Sequence, residues 1–147
     1  MSDTSPPPFW NRLLVPTDFS ELSMVGLRAA SKWHRQTEGE IILLHVTEPS
    51  HGGLRIQTGD LHHRMDQEAL ESLHRISALH FPSAKNITHL VLSGKAAETI
   101  CKAAIDHEAD AILIATHGFT GIKQAVLGSV TEKVVRQAKC SVLVVRE

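Results

Sequence analysis

Gly118, Gly121 and the pair Gly128-Ser129 follow the run Ala111-Ile-Leu-Ile-Ala-Thr-His117. This order of residue types suits one kind of chemistry, the holding of an anion. The apolar run reads as a buried strand that breaks into a glycine-bearing loop. The loop ends just before a helical pattern made by Val130, Val134, Val135 and Ala138. Glycine lets a backbone come close to a ligand, and the unpaired N–H groups of a helix start point at it. Phosphate or nucleotide binding is the chemistry implied. An ordinary turn and helix start is the competing reading of the same residues.

Two other strand ends carry polar groups of matching use. Val15-Pro-Thr-Asp-Phe-Ser20 closes the first apolar run, and Leu44-His-Val-Thr-Glu48 closes the second. In open parallel sheets ligands lie beyond the carboxyl ends of the strands, where strand order reverses. Asp18 there can hydrogen-bond a ribose hydroxyl or an adenine amino group, or simply cap the first helix. Val46 can offer its backbone N–H and C=O to an adenine edge, or be plain core. Gly118 and Gly128 let the chain wrap phosphates, and Ser129 adds a hydroxyl donor. His45 and His117 flank the same rim, His45 reading as a satisfied structural histidine. There is no GxxxxGK[ST] loop, no GxGxxG after the first strand and no GxSxG elbow, so Walker-type hydrolysis, dinucleotide binding and nucleophile-elbow hydrolysis find no support. Ten histidines raise the question of metal, yet no two stand at HxxxH spacing, and no zinc site is expected.

The elements that must position these residues alternate. Strands are expected at Arg12–Pro16, Ile41–Val46, Ile87–Leu92, Ala111–Ala115 and Val142–Val145. The second, fourth and fifth are near-continuous apolar runs of the kind covered on both faces. Helical stripes lie between them. Leu22, Val25, Ala29 and Trp33 follow a cap at Ser20; Met65, Ala69, Leu73 and Ile76 form the second stripe. Ala97, Ile100, Cys101, Ala104 and Ile105 form the third, and Val130, Val134 and Ala138 the fourth. Strict alternation predicts an α/β fold with a parallel sheet and right-handed crossovers. A length of 147 residues and 42% hydrophobic content suit one domain with a full core. A net charge of −1 gives no electrostatic reason for nucleic acid or membrane as partner. Cys101 and Cys140 are expected as buried thiols, and the cytoplasm as location. Residues 1–10, with three consecutive prolines, read as a flexible arm, and Thr47 to Gly59 as an irregular loop beside the site.

Taken together, Val15-Pro-Thr-Asp-Phe-Ser20, Ile42-Leu-Leu-His-Val46, Ala115-Thr-His-Gly118, Gly128-Ser-Val-Thr-Glu132 and Cys140-Ser-Val-Leu-Val-Val-Arg146 resemble a universal stress protein. The resemblance runs from residue 11 to 147 and implies one domain there. It implies a Rossmann-like open sheet of five parallel strands in the order 3-2-1-4-5, with helices on both faces. Nucleotide-binding members resemble the pattern G-x2-G-x9-G-S/T; here Gly118, Gly128 and Ser129 fit, and Ala115 stands in place of the first glycine. By this resemblance Asp18 and Val46 hold the adenosine part of ATP (or AMP or ADP), with Pro16 and Thr17 shaping that wall. Ala115, His117 and Gly118 line the ribose and phosphate path. Gly128, Ser129 and Val130 grip the phosphates, with Mg2+ or Mn2+ bridging their oxygens. A homodimer through Val142, Leu143, Val144 and Val145 is also implied. The implied role is a stress regulator that binds nucleotide and is at most weakly hydrolytic. The alternative is a dimeric interaction module of the same fold without nucleotide.

Overall fold

The computed structural model describes residues 10–49, 59–116 and 127–147. Nine elements follow one another: β1 (Arg12–Pro16), α1 (Ser23–Thr37), β2 (Glu40–Thr47), α2 (Gly59–His80), β3 (Ile87–Ser93), α3 (Ala96–Asp106), β4 (Ala111–Ala115), α4 (Ser129–Gln137) and β5 (Ser141–Val145). All strand pairs are parallel, and the sheet runs β3-β2-β1-β4-β5. This is the α/β, Rossmann-like order expected from the sequence. Register is pinned by pairs such as Leu14 with Ile42 and Leu14 with Ile112.

Period-two alternation divides the buried residues between two layers. Leu14, Ile42, Leu44, Ile112 and Ile114 pack with Ile100 of α3 and Val134 of α4. Leu13, Val15, Ile41, Leu43 and Leu113 pack on the opposite face with Leu27 of α1 and Leu73 of α2. Burying a leucine or isoleucine side chain contributes about 1.5–3 kcal/mol, so the three inner strands anchor both layers. β5 departs from expectation. Val142–Val145 are only half-buried and Ser141 is exposed, because β5 lies at a sheet edge with no neighbouring strand on one side among the described residues.

Some helix faces also differ from their stripes. In α1 the buried side is Val25, Leu27, Ala30 and Ser31, while Ala29 and Trp33 are only half-buried. Met65 is exposed. A 22-residue α2 spans about 33 Å, more than the roughly 25 Å of the strands beneath it, so its early turns overhang. Ile105 sits just past the buried arc of α3 and is exposed, as is Val130 at the start of α4. Cys101 is buried, Cys140 half-buried, and both are free thiols. Among the described residues no helix is long and apolar enough to cross a membrane. The expected arm lies, up to residue 9, outside the described residues, as do 50–58 of the expected loop.

Candidate functional site

The chain leaves β1 toward β2 and β3 on one side, then crosses back to place β4 and β5 on the other. The carboxyl ends of β1 and β4 therefore diverge, and the gap between them opens a cavity of about 350 Å³. Eight residues expected at the site line it: Pro16, Thr17, Asp18, Val46, Ala115, Gly128, Ser129 and Val130. His117 and Gly118 lie outside the described residues.

Asp18 sits in a tight turn between β1 and α1. Its Oδ1 accepts the Ser20 backbone N–H at 2.9 Å and also the Ser20 hydroxyl. Burial alone would raise its carboxyl pKa, but the hydrogen bonds from Ser20 and Ser23 outweigh that and hold it below the usual range. Asp18 thus closes the turn on the cavity wall and does not cap α1, whose N-cap is Leu22 with no side-chain cap bond. Regular helix begins at Ser23, three residues after the expected cap. Ser20 still supports that start, its Oγ taking the Ser23 N–H at 3.3 Å and its carbonyl the Met24 N–H at 3.3 Å. Thr17, buried, fastens the turn by accepting the Phe19 N–H and sharing a hydrogen bond with Ser23 Oγ at 2.8 Å.

Phe19 takes a left-handed backbone, φ 65°, which is uncommon for a bulky residue. Its ring stacks on His45 at 4.4 Å. His45 in turn donates from Nδ1 to the Thr17 carbonyl at 2.9 Å. His45 is therefore a brace for the turn, as its sequence context suggested.

Val46 owes its usefulness to strand parity. The Leu44 carbonyl points toward β1 and accepts the Thr17 N–H at 2.8 Å, whereas the Thr47 carbonyl points toward β3 and accepts from Gly94. Val46 shares the parity of Leu44, so its N–H and C=O face the β1 side. β1 has ended at Pro16, and those groups look into the cavity.

Across the cavity stands α4. Gly128 is its N-cap, with an ordinary extended backbone (φ −62°, ψ 157°). A glycine has no side chain with which to cap, so it leaves first-turn N–H groups to other acceptors. Thr131 ties this turn to the sheet by donating to the Ala115 carbonyl at 3.0 Å. Ala115 itself lies in regular strand and shares its face with Leu113. A Cβ built on Gly26 of α1 would lie 4.0 Å from the Ala115 Cβ, which shows where that methyl is directed: toward α1, into space that Gly26 leaves open.

Sequence reasoning missed Ser20, Ser23, Thr131, Ala96, Ile100 and Thr116 as lining residues. Thr131 was findable, since it is two residues past the Gly128-Ser129 pair. Ala96 and Ile100 were not, because only the fold brings the start of α3 under the same cavity. There Glu48, just past β2, accepts the Ala96 N–H at 3.1 Å and occupies the α3 start. Among the described lining residues Asp18 alone is ionisable. Also among the described residues, no cluster of three or more His, Cys, Asp or Glu could hold a metal ion.

A single parallel α/β sheet with its cavity at the strand-order reversal defines the class of architecture. Residues 10–146 match the universal stress protein family, and the chain belongs to it. Universal stress protein MJ0577 of Methanocaldococcus jannaschii is 28% identical over 93% of this chain and 95% of its own length. The solved structure of MJ0577 superposes with a TM-score of 0.79, 29% identity, and coverage of 95% and 98%. A universal stress protein in complex with cAMP shares the fold at 19% identity, with a TM-score of 0.70 and coverage of 95% and 99%. One from Archaeoglobus fulgidus in complex with dAMP does so at 20% identity, with a TM-score of 0.64 and coverage of 95% and 100%.

Proposed function

We propose that this cavity binds an adenine nucleotide, ATP foremost, and that the protein is a regulator whose state follows nucleotide occupancy. The carrying observation is the convergence of three kinds of group on one space: a backbone edge at Val46, a carboxylate at Asp18 and the uncapped α4 start at Gly128-Ser129. An adenine edge needs the first, a sugar or amino group the second and phosphate oxygens the third. The apolar floor made by Leu44, Ile100 and Ile114 suits a base. Family members whose structures hold cAMP or dAMP give independent support for an adenine ligand in this fold.

Ala115 does not weigh against the proposal. A glycine is needed where φ is positive or where a methyl would meet the ligand, and Ala115 meets neither condition: it is in regular strand with its methyl toward Gly26. His117 and Gly118 complete the phosphate path in this reading. With so few carboxylates on the wall, Mg2+ or Mn2+ would be held chiefly by phosphate oxygens, water and the Ser129 hydroxyl. The half-buried edge strand β5, with Val142, Leu143, Val144 and Val145, fits pairing with a second copy. We place the domain at 11–147 and the protein in the cytoplasm.

Equilibrium dialysis of the purified protein against labelled ATP, with and without Mg2+, tests the reading. The expected result is saturable micromolar binding, about −8 kcal/mol, with AMP competing. Absence of binding up to millimolar ATP and AMP would leave the interaction-module alternative standing instead.

A further inference from the structure

One residue interrupts the apolar layer between the sheet and α2. On β3, Ile87 and Val91 pack into the core shared with α1 and α2, and His89 lies between them on the same face. Its partner on β2 is the fully buried Leu43, with Ile41 beside it on that face. The His89 ring meets His74 of α2, with centroids 4.1 Å apart and planes tilted by 36°. The Nε2 atom of His89 is buried and has no hydrogen-bond partner among the described residues.

A neutral imidazole is tolerable in this setting, because it is a flat ring resting on another. A charged one is not. Protonation would put an N–H with positive charge at a buried nitrogen that has no acceptor, directly against a second titratable ring. The side chains around Nε2 offer it no acceptor among the described residues. α2 contributes His74, itself exposed, with Glu71 and Arg75 close in sequence and also exposed, while His89 is half-buried. β2 contributes Ile41 and Leu43, then His45, whose Nδ1 is committed to the Thr17 carbonyl. β3 itself contributes Ile87 and Val91. Among the described residues no carboxylate is ion-paired with either ring.

We infer that the His74–His89 contact makes the seam between α2 and edge strand β3 acid-sensitive, so that α2 loosens from the sheet as the medium acidifies. Burial, and secondarily the neighbouring His74, hold the His89 imidazole below the ordinary histidine range. The closed seam therefore binds fewer protons than the open one, and acid favours opening. The contribution is whole above the ordinary histidine range and is lost as pH falls through it. Each unit separating the closed-state value from the open-state one multiplies the opening equilibrium about tenfold. Opening would uncover the apolar face that Ile41, Leu43 and Val91 form beneath α2.

Amide hydrogen exchange read by mass spectrometry, corrected for the intrinsic pH dependence, tests this on the full chain. From pH 7.5 to 5, peptides from α2 and β3 should lose protection several-fold more than peptides from α3. His89→Phe keeps a ring against His74 but cannot take a proton, and it should flatten that difference while leaving α3 unchanged. An unaltered acid response in His89→Phe overturns the inference, and so does uniform loss across α2, α3 and α4. Should His89→Phe fail to fold, the wild-type His89 ring followed by NMR decides: titration below the ordinary range, with α2 shifts tracking it, supports the seam, and titration at or above that range refutes it.

Discussion

Gly128→Asp separates anion binding from folding by giving the two opposite signs. Gly128 has the extended backbone that side-chain N-caps adopt, so aspartate fits without strain. It lines the cavity, which gives the new side chain room. Capping by aspartate in place of glycine contributes a few tenths of a kcal/mol, and an acidic group at a helix start about 0.3–1 kcal/mol. At about 2–4 °C per kcal/mol for a chain this size, Tm should rise by roughly 1–4 °C. Nucleotide binding should move the other way. The new carboxylate takes an N–H that phosphate would use, and one hydrogen bond to a charged group is worth about 1.5–3 kcal/mol. ATP affinity should therefore fall by about tenfold to over a hundredfold, with the added charge repulsion deepening the loss. Adenosine, which has no phosphate, should be much less affected. Calorimetric titration of both ligands, with differential scanning for Tm, reads all three quantities. ATP affinity equal to wild type would refute the assignment of phosphates to the start of α4. An equal loss for adenosine and ATP would refute the electrostatic reasoning.

Further expectations follow from other residues. Asp18→Asn should shrink the fall in stability in acid. The wild-type carboxyl is held below its usual range, so its contribution is present at neutral pH and is lost as pH drops through about 4 and below; pH-dependent urea unfolding measures this. Gly39→Ala should destabilise by about 1–3 kcal/mol, since the added Cβ would sit 2.2 Å from the Trp33 ring. Gly26→Ala should instead stabilise by about 0.5–1 kcal/mol, because the helix gains alanine propensity and the new methyl meets its neighbours at an ordinary 3.6 Å. Urea melts check both signs. If β5 pairs with a second copy as proposed, Leu143→Lys should lower the mass seen by light scattering toward that of one chain. Some loss of stability in urea melts should accompany it, because Leu143 also packs against the core layer of α1 and α2; an unchanged mass would count against β5 pairing.

Strand positions were legible because buried parallel strands are written as apolar runs. Ile41–Val46 and Ala111–Ala115 could be read almost to the residue. The sheet order was not legible from pattern alone and came from the resemblance. Helix faces were less legible. One exposed apolar residue, such as Met65 or Ile105, looks the same in sequence as a buried one. The site was read as three strand ends, and those ends do meet. What could not be read was the supporting geometry. Nothing in Val15-Pro-Thr-Asp-Phe-Ser20 announces a left-handed Phe19 stacked on His45. Nor does Ala115 announce that its methyl would turn toward Gly26, a residue far away in the chain with no local signature linking the two. Contacts between distant segments decide such details, and only folding supplies them.

The most direct measurement is an ATP titration followed by backbone amide NMR of the intact protein. Saturable shifts at Asp18, Val46, Ser129 and Val130, with amides at the opposite sheet end such as Glu40 and His107 unmoved, are the predicted outcome. Saturable shifts centred away from the β1–β4 gap, or none at millimolar ATP, would contradict it.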